Sequence, residues 1–191
     1  MDINLGEEEI TRASKIFDLP WEAENMAMDL FRKSANKKIF KFRDTRELIG
    51  SVMAIVCRQY SPRRFSEIAK VVGYEKIGKI RKTACIMVKE FNVKLKEVDI
   101  TSFIVRYCSD LILPNDVRLK AEEIIKEAVK RGLTENRDAV GVAVAAIYIA
   151  AILRGEHRTQ KEINDITGVS EATIRDKWKE LAGELKIDVS L

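Results

Sequence analysis

Apolar positions recur along this chain at spacings of three and four, the period of a helix with one buried face. In one stretch Ala121, Ile124, Ile125, Ala128 and Val129 form such a stripe, and Gly132 follows as a C-terminal stop. A different pattern covers Ala139–Leu153, fifteen residues with no polar side chain except the Tyr148 hydroxyl. A membrane span needs about 20 residues. Asp138 and Arg154 bound this shorter run, so it predicts a helix surrounded by other helices. Strand-like alternation of useful length is absent. The periodicity predicts helices near Glu7–Asp18, Trp21–Lys37, Thr45–Tyr60, Phe65–Val72 and Lys76–Phe91. It predicts five more near Ser102–Ile112, Asn115–Arg131, Arg137–Arg154, Thr159–Thr167 and Ser170–Leu185. Pro20 and Pro114 fall at helix starts, where the missing N–H costs nothing.

The two sets of five correspond. A shift of 94 residues puts Leu19-Pro20 on Leu113-Pro114, Ala27 on Ala121 and Arg43-Asp44 on Arg137-Asp138. The apolar run Ser51–Cys57 falls on Ala145–Ala151. With one residue adjusted in a loop, Arg63, Glu67-Ile68 and Gly73 match Arg158, Glu162-Ile163 and Gly168. The expected organisation is two all-α, five-helix modules, residues 1–97 and 98–191.

The end of the second module, Thr159–Leu181, has the pattern of a helix-turn-helix. Thr159 with Glu162 makes a capping box. Ile163 and Ile166 are expected to face the core, and Gly168 to supply the left-handed turn. Val169 packs inward, Ser170 caps the second helix and Thr173 follows it. Ile174, Trp178 and Leu181 form the buried stripe of that helix, leaving Glu171, Ala172, Arg175, Lys177 and Lys179 outside. Recognition helices read DNA with their N-terminal residues. That places Arg175 to reach a base edge, guanine above all, and Ala172 to touch a thymine methyl. Ser170, Thr173, Lys177, Arg158, Gln160 and Lys161 complete the candidate DNA contacts of this module. An ordinary αα-corner with a solvated charged face has the same pattern, and both readings stay open on spacing alone.

Charge sharpens this. The whole chain carries 34 Lys and Arg against 30 Asp and Glu, a net +4. Residues 1–97 hold twenty against fourteen, a net +6, and residues 98–191 fourteen against sixteen, a net −2. The densest basic stretch includes Arg32, Lys33, Lys37, Lys38 and Lys41; with Arg63 and Arg64 it is the candidate surface for an acidic partner or for phosphates. Lys76, Lys79 and Lys82 open the first module's own recognition-like helix and are candidate phosphate contacts.

Candidate chemistry is sparse. One histidine and three cysteines without a CxxC pair leave no expected metal or cofactor site. Cys57, Cys85 and Cys108 sit in apolar company and are expected as reduced core residues, which suggests the cytoplasm. No Gly-rich phosphate loop occurs. Glu67 and Glu162 are explained as helix caps, so nothing supports catalysis.

Three segments of the second half, LPNDVRLKAEEIIKEAVKRGLT, AVAAIYIAAILRGEHRTQKEI and GVSEATIRDKWKELAGEL, resemble the C-terminal core of archaeal transcription factor B, a relative of eukaryotic transcription factor IIB. The first half carries LPWEAENMAMDLFRKS, CRQYSPRRFSEIAKVVG and IGKIRKTACIMVKEFNVKL in matching order. The resemblance implies two tandem cyclin-like domains, each ending in a helix-turn-helix. It implies binding to TATA-binding protein on promoter double-stranded DNA, contacts on both sides of the TATA element, and a second-repeat helix that reads the upstream B-recognition element. Arg175 keeps the family's base-contacting residue, whereas Ala172 replaces the usual valine and Asp176 a neutral polar residue. The family also carries an N-terminal zinc ribbon and reader segment that engage RNA polymerase. This sequence opens on the first cyclin helix, which leaves two expectations: an excised core, or a short natural form acting as regulator or competitor. Cyclin-like folds also serve as pure protein-interaction modules, and the acidic second module suits that alternative.

Overall fold

The computed structural model describes residues 3–97, 99–135 and 138–189. Among these the fold is all-helical and divides into two compact units, Met1–Val98 and Asp99–Leu191. Unit 1 contains α1 (Ile3–Ile16), α2 (Trp21–Asn36), α3 (Thr45–Tyr60), α4 (Phe65–Val72) and α5 (Ile77–Glu90). A short 3-10 turn, Lys38–Phe40, lies between α2 and α3. Unit 2 contains α6 (Ile100–Asp110), α7 (Asn115–Lys130), α8 (Ala139–Leu153), α9 (Gln160–Thr167) and α10 (Glu171–Leu185).

In unit 1 the other four helices pack around α3; in unit 2 α6, α7 and α10 pack around α8, and α9 rests on α10 and α6. All residues from Glu47 to Cys57 on α3 are buried, as are all from Val140 to Ala151 on α8. An aspartate starts each of these helices by accepting a backbone N–H, Asp44 from Arg46 and Asp138 from Gly141. Such caps are worth about 1 kcal/mol. In unit 1 the Ser51 hydroxyl reaches the Ile80 carbonyl at 3.1 Å and ties α3 to α5. Gly6 brings α1 against α2, because a Cβ there would overlap the buried Phe31 ring.

The repeat extends to backbone detail. Asp18 and Ile112 both have positive φ (51° and 52°), and so do Asn92 and Lys186 (48° and 56°), each pair 94 residues apart. Arg63 Nη2 donates to the Phe17 carbonyl, and Arg158 donates to the equivalent Leu111 carbonyl.

Several expectations are corrected. Val129 is 54% exposed, because the α7 stripe closes on Val117, Ala121, Ile124, Ile125 and Ala128. Ile166 is 47% exposed, since in the eight-residue α9 the buried pair is Ile163 and Thr167, one turn apart. Cys85 lies on the exposed side of α5, while Cys57 and Cys108 are buried. Burial pushes the Cys108 thiol up to about 11. Pro20 and Pro114 are the extended capping residues before α2 and α7, which start at Trp21 and Asn115 as expected. The expected helix start at Arg137 lies outside the described residues.

Candidate nucleic-acid interface

The α9–α10 pair of unit 2 is built by local chemistry. Thr159 donates its N–H and hydroxyl to the Glu162 carboxylate, both at 2.7 Å, and its Oγ1 accepts the Glu162 N–H at 3.1 Å. Those bonds, the backbone one foremost, hold the Glu162 carboxyl below its usual range. α9 ends at Gly168 with φ +65°, a conformation glycine adopts without strain. The Asn164 side-chain amide donates to the Val169 carbonyl at 2.8 Å and braces the turn. Ser170 then caps α10, its Oγ accepting the Thr173 N–H at 3.2 Å and lying 2.8 Å from the Thr173 hydroxyl.

Apolar burial fixes the rotation of α10. Ile174, Trp178 and Leu181 are buried, and the Trp178 ring lies 5.6 Å from Tyr148 of α8. Fully burying such side chains contributes about 1.5–3 kcal/mol each. With that stripe inward, Ala172 and Arg175 are forced outward, and both are exposed. Arg175 makes no hydrogen bond or ion pair with a described residue. Gln160 is half-buried and Lys161 exposed at the start of α9. Thr173 and Ser170 are engaged in the cap. Lys177 is half-buried and leans 3.5 Å from Glu180. Arg158 is directed into the scaffold: its guanidinium lies 3.1–3.5 Å from the carbonyls of His157, Leu111 and Ile112. The structure therefore gathers Arg175, Ala172 and Lys161 as outward groups and gives Arg158 a structural role.

Unit 1 repeats the pair as α4–α5 with different chemistry. The Arg64 N–H donates to Glu67 at 2.6 Å, and Gly73 turns the chain with φ +66°. Four residues, 73–76, separate α4 from α5, against three in unit 2, and Lys76 starts α5 without a side-chain cap bond. Lys76, Lys79 and Lys82 are exposed on a cleft of about 580 Å³, which is also lined by Ile39, Phe42 and Tyr74.

Beneath this cleft lies a group that periodicity could not show. Glu47 is 3% exposed, yet its carboxylate accepts bonds from Arg43 Nη1 (2.7 Å), Thr83 Oγ1 (2.6 Å) and Tyr74 OH (3.0 Å). Burial raises its pKa; the Thr83, Arg43 and Tyr74 bonds together outweigh that and hold it below the usual range. Burial and the Glu47 carboxylate push Tyr74 up to about 12. The only hint in the sequence is a carboxylate beginning the apolar run ELIGSVMAIVC.

The basic stretch of unit 1 divides by partner. Arg32 makes a two-pronged pair with Glu7 (2.6 and 3.0 Å), Lys33 pairs with Asp29 and Lys37 with Glu90. Lys38 and Lys41 are exposed and make no ion pair with a described residue. Arg63 is turned inward, over the Phe17 ring at 5.6 Å, and Arg64 is half-buried at the start of α4. Of the seven expected partner-binding residues, Lys38 and Lys41 present the most available charge.

Among the described residues, no helix is long and apolar enough to cross a membrane, and no cluster of ligating side chains could hold a metal ion.

Residues 93–184 match the family model described as the transcription factor TFIIB repeat. A transcription initiation factor IIB of Methanosarcina mazei is 38% identical over 186 residues, 96% of this chain and 54% of that protein. Its counterpart in Archaeoglobus fulgidus is 37% identical over 186 residues, 96% of this chain and 56% of that protein. That of Methanococcus maripaludis is 36% identical over 184 residues, again 96% of this chain and 54% of the relative. The similarity thus runs through both units, whereas the chain spans about half the length of the relatives it matches.

Proposed function

We propose that this chain works in transcription initiation: it joins TATA-binding protein on promoter DNA and contacts the duplex beside the TATA element. In this reading α10 enters the major groove upstream, and Arg175 and Ala172 read the B-recognition element. Unit 1 adds phosphate contacts through Lys76, Lys79 and Lys82. The observation that carries the reading is the α9–α10 geometry, in which a buried Ile174–Trp178–Leu181 stripe turns the exposed Arg175 and the small Ala172 outward near a helix N-terminus. The initiation factors to which the chain is similar supply the process.

The division of charge fits a division of labour. The basic unit 1 provides an electrostatic hold that is independent of sequence. The slightly acidic unit 2 relies on a few placed side chains for discrimination. Gel mobility of a TATA-containing duplex with TATA-binding protein, with and without this chain, tests the reading. A further shift that needs both the protein and the TATA element supports it. Capture of TATA-binding protein equally well without DNA favours a pure protein-interaction module instead. No shift on any promoter overturns it.

A further inference from the structure

The unit 1 cleft combines two features that seldom share a surface. Phe42 is 95% exposed, although Phe40, two residues earlier, is buried and packs 5.9 Å from the Phe91 ring. Lys76, Lys79 and Lys82 line the same cleft as Phe42, each exposed and without an ion-pair partner among the described residues. Two carboxylates also line the cleft: Glu47 is bonded to Arg43, Thr83 and Tyr74, and Asp44 accepts the Arg46 N–H as the cap of α3. The cleft therefore offers an exposed aromatic face beside three lysines that pair with neither.

We propose that this cleft holds single-stranded nucleic acid, with one base stacked on Phe42 and the adjoining phosphates on Lys76, Lys79 and Lys82. Phe42 decides for a strand: in a duplex each base is already stacked between its neighbours, so a duplex could use the lysines for phosphate but would leave the ring of this cleft without a base. The cleft volume of about 580 Å³ lies within the roughly 300–1,000 Å³ of pockets that enclose a single small ligand. The same lysines would attract an acidic peptide, but such a peptide brings no base to stack on Phe42; as point charges they hold phosphates without demanding one geometry. An exposed ring adds stacking that works for any base. Unit 2 has no equivalent cleft floor, since Gly141 stands at the position of Glu47 and Lys177 at that of Thr83. The site is thus particular to unit 1 and independent of how α10 is read.

Fluorescence anisotropy with a labelled short oligo(dT) strand, and with a duplex of the same length, tests this on the full chain. The log–log salt slope for the strand should be about −2, from three lysines at about −0.7 each. Phe42→Ala should weaken strand binding about tenfold and leave duplex binding unchanged. Phe42→Trp should retain the strand, and its indole fluorescence should be quenched on binding. Because Phe42 is exposed, both variants should melt as the parent does. Equal loss on strand and duplex, no loss for Phe42→Ala, or displacement by poly-glutamate as effective as by unlabelled oligo(dT) would each overturn the proposal. Loss of duplex discrimination on Arg175→Ala, with strand binding intact, would separate this site from α10.

Discussion

Replacing Glu47 by glutamine probes the floor of the unit 1 cleft. The carboxylate is almost fully buried and accepts three side-chain bonds. Hydrogen bonds to a charged group contribute about 1.5–3 kcal/mol each. Glutamine has the size to keep the Arg43 and Thr83 bonds on its carbonyl oxygen at neutral strength, but its amide NH₂ then faces Tyr74 and cannot accept that hydroxyl's bond, and the buried negative charge opposite Arg43 is gone. Breaking a fully buried pair costs about 3–5 kcal/mol, and the Arg43 side chain retains 24% exposure, through which water relieves its charge. The expected loss for Glu47→Gln is therefore about 2–3 kcal/mol. The pH dependence has a definite sign. The folded carboxyl titrates below its unfolded value of about 4.3, so its contribution is full above that pH and disappears as pH falls through the folded value. The parent should lose this increment on acidification from neutral pH, and the variant should lack it. Urea unfolding across that range, with amide exchange of α3 assigning the change to unit 1, provides the assay. A loss below about 0.5 kcal/mol, the range of ordinary surface substitutions, would refute the reasoning.

Other outcomes follow from packing. Gly6→Ala forces a methyl against the buried Phe31 ring and should destabilise unit 1 by about 1–3 kcal/mol in urea unfolding. Gly183→Ala, whose added Cβ meets nothing within 4 Å, should instead stabilise α10 by roughly 0.5–1 kcal/mol. Iodoacetamide should add one group to the native chain, at Cys85, and three after unfolding, as read by intact mass.

Helices and the repeat were legible because both depend on local pattern. The α8 run announces itself by its apolar composition and the α3 run by an apolar stretch interrupted only by Ser51, and Thr159, Gly168 and Ser170 mark the α9–α10 turns by residue type alone. A short stripe leaves helix rotation ambiguous: Ile166 and Val129 each lie one position from a buried neighbour, Thr167 and Ala128. The site was legible in part. Arg175 and Ala172 followed from the buried stripe of α10. Spacing alone makes Arg158 and Arg63 surface cations, although each reaches back 46 or 47 residues to a carbonyl, a contact that only tertiary folding creates. The Glu47 network and the exposure of Phe42 likewise depend on α3, α5 and the 3-10 turn coming together, and no spacing rule encodes that.

The central claim is that α10 reads base sequence through Arg175. Binding of the parent and of Arg175→Ala to a panel of duplexes mutated base by base upstream of the TATA element, with TATA-binding protein present, measures it. The account predicts a loss of about 1–3 kcal/mol on the preferred site and a flattened response at one base pair. A uniform loss across every duplex, with the preference unchanged, would contradict it and make Arg175 a phosphate contact.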